Sequence, residues 1–175
     1  GVGLSAVMGA KLAGADPIIG VDLRQDKMTL AKSVGATATV DASGGTENTA
    51  AAIKDLSHGG VLHAIELSGT VKGLEAAYAS LRPGGTVTLA GLTPADAKFE
   101  IAPYMMAAKE FKLQGCYMGS CSAPDDMPKF VDFYRQGKLP VDKLRTGELP
   151  LSEINEGFDR LADGSAVRQI LKPHG

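Results

Sequence analysis

Tryptophan is absent from this chain of 175 residues, aromatic side chains make up 5%, and cysteine occurs only at Cys116 and Cys121. Two cysteines are too few for a disulfide framework, and they point to a reducing, cytoplasmic compartment. No apolar run approaches the ~20 residues of a membrane-spanning helix, and no segment reads as a signal peptide. Charge of one sign is also missing: 18 basic residues face 20 acidic ones, with no long run of either. The basic stripe expected of a nucleic-acid binder is therefore not there. Internal repeats and low-complexity linkers are lacking too. The chain opens on Gly1-Val2-Gly3 with neither an initiator methionine nor a polar lead-in. The expectation is a segment whose upstream part is missing.

What the chain does have is glycine, 22 residues of it, in a composition that is 44% apolar and 22% charged. That profile suits an α/β protein with many tight turns and a sizeable core. Leu4, Val7, Met8 and Leu12 recur at helical spacing from Gly3 to Ala13, until Gly14 and Asp16-Pro17 stop the pattern. Pro17 to Val21 is a continuous apolar run, as for a strand buried on both faces of a parallel sheet. A helix from Asp26 to Val34 closes on Gly35, and a short strand covers Thr37 to Val40. A helix from Thr46 to Leu56, a strand from Val61 to Leu67 and a helix carrying Val71, Leu74, Tyr78 and Leu81 follow. Pro83-Gly84-Gly85 reads as a sharp turn into a strand from Thr86 to Ala90.

This alternation predicts a doubly wound parallel sheet of the Rossmann-like α/β class. Beyond Gly91 the rhythm loosens into a loop at Thr93 to Asp96, a helix at Tyr104 to Ala108 and a last strand at Lys112 to Met118. A further helix lies between Pro124 and Gly137, with Met127, Phe130, Val131 and Tyr134 on one face. Ser152 is placed to cap a final helix with Ile154, Phe158 and Leu161 inward, and Ala166 to Leu171 reads as a closing strand. The shift in composition sets a boundary near residue 118, separating 1–118 from 119–175.

Gly1-Val2-Gly3 opens the first helix, and Asp22 closes the next strand about twenty residues on. Glycines there let the backbone approach a pyrophosphate, which the partial positive charge of a helix N-terminus attracts. An acid at the place of Asp22 can accept hydrogen bonds from both adenosine-ribose hydroxyls and repels a 2′-phosphate, so the pattern favours NAD over NADP. A plain tight turn with a solvated Asp22 is the bland alternative. Lys27 could reach the same ribose or lie on an exposed helix face, and Arg24 reads as a rim charge. Small residues at the strand exits Leu67-Ser68 and Ala90-Gly91-Leu92 leave room for a ring, though tight exits use glycine as well. Cys116 and Cys121, with C-x4-C spacing and no nearby histidine, read as two buried structural thiols rather than zinc ligands. His58, His63 and His174 are scattered and complete no nucleophile motif.

Gly-Val-Gly-Leu-Ser (1–5), Ile-Ile-Gly-Val-Asp (18–22), Asp-Lys (26–27), Ala-Lys-Ser-Val-Gly-Ala-Thr (31–37) and Glu-Ile-Asn-Glu-Gly-Phe-Asp-Arg-Leu (153–161) together resemble the zinc-dependent, medium-chain alcohol dehydrogenases. The resemblance spans the whole chain, and its most specific part is the end, through Val-Arg-Gln-Ile-Leu (167–171). It implies that Gly1 and Gly3, flanking Val2, are the last two glycines of a Gly-x-Gly-Gly-x-Gly turn. It assigns Asp22 and Lys27 to the adenosine ribose, and Leu67, Ala90, Gly91 and Leu92 to the backbone beside the nicotinamide carboxamide. Tyr117, with Met118, would end the last sheet strand near the nicotinamide, and Arg168 would reach the pyrophosphate.

The implied activity is NAD-dependent hydride transfer between an alcohol or aldehyde and nicotinamide, with zinc polarising the substrate oxygen on ligands upstream of Gly1. This chain would supply no catalytic or metal residue, be inactive alone, lack the sheet's first strand, and return to the catalytic domain after residue 118. A homodimer or homotetramer is implied, with no nucleic-acid or membrane partner. Two rivals share features. An S-adenosylmethionine-dependent methyltransferase also has a glycine turn, an acid like Asp22 and a Leu-Arg-Pro-Gly-Gly run (81–85) before a strand. A non-catalytic NAD-sensing module would also lack catalytic groups.

Overall fold

In the computed structural model, which describes residues 1–174, helices and parallel strands alternate from the start of the chain. Helix α1 (Val2–Leu12) turns Leu4 and Met8 inward and leads to strand β1 (Ile19–Asp22). Helix α2 (Gln25–Val34) ends at Gly35, whose φ of 136° suits glycine and whose amide donates back to the carbonyls of Ala31 and Lys32. Then come β2 (Ala38–Asp41), α3 (Thr46–Leu56), β3 (Val61–Glu66), α4 (Val71–Ala79), β4 (Leu81–Leu89), α5 (Pro103–Lys109) and β5 (Lys112–Gly115). The Thr70 side chain caps α4 by accepting from the Gly73 amide.

Every strand pair is parallel. β1 pairs with β2, while β3, β4 and β5 form a second sheet with β4 in the middle. The expected α/β architecture is present, with its sheet in two pieces. Among the described residues, β1 and β3 each keep one edge without a strand partner. Val21, Leu62 and Ile65 on those two strands are exposed despite being apolar.

Two cores hold the layers together. The first gathers Leu4 and Met8 of α1, Ile18, and Ala31, Val34 and Ala36 from α2 and its exit, and Leu144 and Val167 join it from the far end of the chain. The second, under α4, packs Leu74, Leu81 and Val87, with Tyr78 meeting Phe99 and Phe111 edge to face at 5.6 and 5.2 Å between ring centres. The remaining elements are α6 (Ala123–Arg135), β6 (Arg145–Pro150), α7 (Ile154–Ala162) and β7 (Arg168–Lys172), with β6 and β7 forming their own two-stranded sheet.

Several expected details differ. β4 begins at Leu81, not Thr86: Val61 pairs with Leu81 and His63 with Thr86, so Pro83-Gly84-Gly85 bulges out within the strand instead of preceding it. β3 ends at Glu66 and β4 at Leu89, so Leu67 and Ala90 lie just beyond their strands. β5 pairs only as far as Gly115 and does not reach Met118, where Met118, Gly119 and Ser120 have φ of 52°, 70° and 50°, a left-handed backbone that no strand can follow. Ser152 caps nothing. It lies in a 3-10 turn, Leu151–Glu153, and Glu153 stands at the head of α7 without a side-chain capping bond.

The inward face expected for α7 is mostly uncovered, with Ile154 half-buried, and the apolar stripe of α6 is uncovered as well. Met127, Phe130, Val131 and Tyr134 are exposed, as are Phe158 and Leu161. α7 packs instead through Gly157, where a Cβ would stand only 2.8 Å from Leu149 Cδ1.

Candidate functional site

The head of α1 is an open helix N-terminus. Gly1 is its N-cap, no side chain caps it, and no acid occupies its first turn. Its free N–H groups and dipole therefore have no built-in negative partner. A Cβ on Gly3 would meet nothing within 4 Å, so the helix face there lies open. Val2 is exposed beside it. On Gly1 a Cβ would lie 3.5 Å from Nε and Nη2 of Arg168, the first residue of β7. Arg168 joins no salt bridge among the described residues.

The other two charged residues expected at this site lie on β1 and α2. Asp22 ends β1, and its Oδ1 accepts from the Arg24 amide at 3.0 Å, which fixes the carboxylate at the strand exit. Half-buried Lys27 donates from Nζ to the Ala166 carbonyl at 3.4 Å.

Arg24 is committed elsewhere. Its Nε and Nη2 grip both carboxylate oxygens of Asp26 at 3.0 Å, and its Nη1 donates to the Asp163 carbonyl at 3.1 Å. Asp26 sits below the ordinary carboxylate range chiefly because of the bond from Arg24. Arg24 and Lys27 thus tie the loop before β7 to the head of α2, and Arg168 follows directly from that loop.

The second group lies at the carboxyl ends of β3, β4 and β5. The amides of Ala90 and Gly91 both donate to the Glu66 carbonyl, at 3.0 and 2.9 Å, which places their turn beside Leu67. Gly69, with φ of +66°, lies so close to the next turn that a Cβ on it would stand 2.6 Å from the Leu92 carbonyl oxygen. The Cys116 amide donates to the Leu89 carbonyl at 2.7 Å, so Tyr117 leaves from the same edge with its ring exposed.

The predicted residues thus fall into two sets. Gly1, Val2, Gly3 and Arg168 lie at the head of α1, with Asp22 at the end of β1 and Lys27 on α2 held to the loop before β7, and Leu67, Ala90, Gly91, Leu92 and Tyr117 line the strand exits. Sequence reasoning missed Glu66, a buried carboxylate in the second set, whose only local signal was an acid ending an apolar strand. The thiols differ from expectation: Cys121 is exposed and Cys116 half-buried, with Ser120 Oγ 3.8 Å from Cys116 Sγ. Among the described residues, no three His, Cys, Asp or Glu side chains are placed to hold a metal ion.

Comparison with known proteins gives this arrangement a family. The sequence profile described as zinc-binding dehydrogenase matches residues 1–136. Alcohol dehydrogenase 1 of Hordeum vulgare is 35% identical over 172 residues, covering 98% of this chain and 45% of its own length. Benzyl alcohol dehydrogenase from Acinetobacter calcoaceticus superposes with a TM-score of 0.92 at 31% identity, over 98% of this chain and 46% of that one. A zinc-binding dehydrogenase from Sinorhizobium meliloti 1021, solved bound to NADP, superposes with a TM-score of 0.85 at 28% identity, over 98% and 49% of the two chains.

The chain belongs to the zinc-binding dehydrogenase family. It spans about half the length of the curated relatives it matches. The family match weighs against the methyltransferase alternative, whose shared features do not extend to the end of the chain.

Proposed function

We propose that the protein is an NAD-dependent alcohol dehydrogenase and that this chain forms its coenzyme platform. The observation that carries the reading is the Arg168 guanidinium resting against Gly1 at the head of α1, on a loop that Arg24 and Lys27 tie to the head of α2. A pyrophosphate seated there would meet free helix N–H groups on one side and a planar guanidinium on the other. Asp22, at the carboxyl end of β1, is suited to accept from the two ribose hydroxyls, with the Lys27 ammonium beside it. Its negative charge disfavours a 2′-phosphate, which supports NAD as the coenzyme. Arg24 does not offset that charge toward a phosphate, because Asp26 and the Asp163 carbonyl already hold its guanidinium.

The nicotinamide end is assigned to Leu67, Ala90, Gly91, Leu92 and Tyr117, at the carboxyl ends of parallel strands where such ligands bind. A nicotinamide held there would supply the acceptor for a hydride from an alcohol carbon, and these residues would orient its ring. The substrate class is a small alcohol or its aldehyde. The zinc that the family name implies finds no ligand set among the described residues, so its ligands are assigned to a part of the protein outside this chain. Residues 1–118 are read as the coenzyme domain and 119–175 as the return segment of the catalytic domain. The exposed apolar faces of α6 and α7 support that division. A homodimer or homotetramer in the cytoplasm completes the reading.

Titration of the purified protein with NADH and NADPH tests it. NADH is expected to bind at least about tenfold more tightly, since each factor of ten is about 1.4 kcal/mol. Absence of binding by either dinucleotide would end the proposal. Binding without alcohol-dependent NADH formation by the whole protein would favour the non-catalytic sensing module.

A further inference from the structure

Glu66 is the last residue of β3 and is only 4% exposed, although it carries a charge. A buried carboxylate persists only where donors satisfy it. All of its donors come from one turn. The Ser68 amide donates to Oε1 at 2.7 Å, the Ser68 hydroxyl donates to the same oxygen, and the Gly69 amide donates to Oε1 and Oε2 at 3.2 and 3.3 Å. The backbone carbonyl of Glu66 accepts from Ala90 and Gly91. One residue therefore fixes two turns, its side chain the one after β3 and its main chain the one after β4.

Glycines make the space for it. A Cβ on Gly73 would stand 2.9 Å from Oε1, and one on Gly91 would stand 2.7 Å from Oε2. The carboxylate thus lies between the head of α4 and the Ala90–Leu92 turn, in space that a side chain at position 73 or 91 would fill. A residue needed solely for the core would contact core side chains, but every hydrogen bond of this carboxylate goes to Ser68 or Gly69. Leu67 lies between the two anchored residues, Glu66 and Ser68.

We propose that Glu66 is a positioning residue for the nicotinamide end of the coenzyme, holding the Leu67–Gly69 and Ala90–Leu92 turns in the register that the ring requires. The inference rests on the dinucleotide reading above. It makes a separate demand, because Glu66 lies in the strand-exit set and not at the head of α1. Removing its charge changes recognition of nicotinamide while leaving the adenosine and pyrophosphate contacts in place. In Glu66→Gln the charge is lost and the amide NH2, at the place of Oε2, faces the Gly69 N–H instead of accepting from it, while the remaining oxygen can keep the bonds from Ser68.

The test compares two ligands on the purified protein. NADH carries the nicotinamide, and ADP-ribose has the same pyrophosphate and adenosine but lacks the ring. Glu66→Gln is expected to weaken NADH about tenfold and to leave ADP-ribose within about twofold of wild type, the loss of a charge-assisted hydrogen bond being of that size. Ser68→Ala removes one donor and keeps the charge. It is expected to weaken NADH about threefold with ADP-ribose unchanged, and it carries the test if Glu66→Gln does not fold. Equal weakening of both ligands would make Glu66 a general structural residue and overturn the inference, as would unchanged NADH binding. Wild-type protein that binds neither ligand would instead overturn the dinucleotide reading itself, and this inference with it.

Discussion

Arg168, at the start of β7, rests against Gly1 at the head of α1, its Nε and Nη2 3.5 Å from where a Cβ on Gly1 would stand. Arg168 and Gly1 thus meet at the head of α1. The bonds from Arg24 to the Asp163 carbonyl and from Lys27 to the Ala166 carbonyl hold the loop that delivers Arg168 there. Arg168→Ala is therefore expected to lower dinucleotide affinity about tenfold or more, while Arg168→Lys restores part of it, since lysine keeps the charge and loses the planar fork. Calorimetric titration with NADH measures both. Equal affinities for wild type and Arg168→Ala would show that the guanidinium meets no phosphate.

Asp22 is the second determinant. It ends β1 at the surface and is fixed by the Arg24 amide. Asp22→Gly removes the ribose acceptor and the repulsion of a 2′-phosphate. The ratio of NADPH to NADH affinity is expected to rise about tenfold or more. A ratio that stays put would remove Asp22 from the ribose site.

The contrast between Asp22 and Glu66 shows how far the sequence could be read. Each acid ends a short strand, yet Asp22 is exposed and Glu66 buried. The alternation of helix and apolar run revealed both strands, and the spacing from the glycines singled out Asp22. Nothing local told that Gly73 and Gly91 leave room for a second carboxylate, because that cradle joins three separate segments. The turn after β5 was hidden for a different reason. Met118 and Ser120 take left-handed backbone without being glycine, so the expected strand ran three residues too far. In α6 and α7 the helical spacing identified the apolar faces correctly as stripes. Whether a stripe is covered depends on what packs against it, and a periodicity does not contain that information.

Tyr78 offers a stability test away from the site. Its hydroxyl is buried without a hydrogen-bond partner among the described residues, and burial pushes its pKa above the ordinary tyrosine value. Its ring nevertheless packs edge to face on Phe99 and Phe111. Tyr78→Phe keeps the ring contacts and removes an unsatisfied polar group. It is expected to leave thermal stability unchanged or raise it by up to about 1 kcal/mol. A clear drop in melting temperature would mean that the hydroxyl has a partner.

The tether around Arg24 sets a pH dependence. Asp26 is held below its ordinary value first by the bond from Arg24, and Asp163 first by its bonds with Ser165, with Arg24 adding to it. A carboxylate with a lowered folded-state pKa contributes stability that is present above its unfolded value and is lost as pH falls through the folded one. The melting temperature of wild type is expected to exceed that of Asp26→Asn at neutral pH by a small margin. That margin should close as the pH drops below about 4. Both groups are at the surface, so added salt should narrow it as well. A margin that grows on acidification would contradict the assigned bond.

The most direct test of the coenzyme platform is a crystal structure of the protein grown with NADH. The account predicts the pyrophosphate between the Gly1–Gly3 turn and the Arg168 guanidinium, with the adenosine ribose hydroxyls on the Asp22 carboxylate. A dinucleotide bound elsewhere, or one that leaves the head of α1 empty with Arg168 turned away, would contradict it.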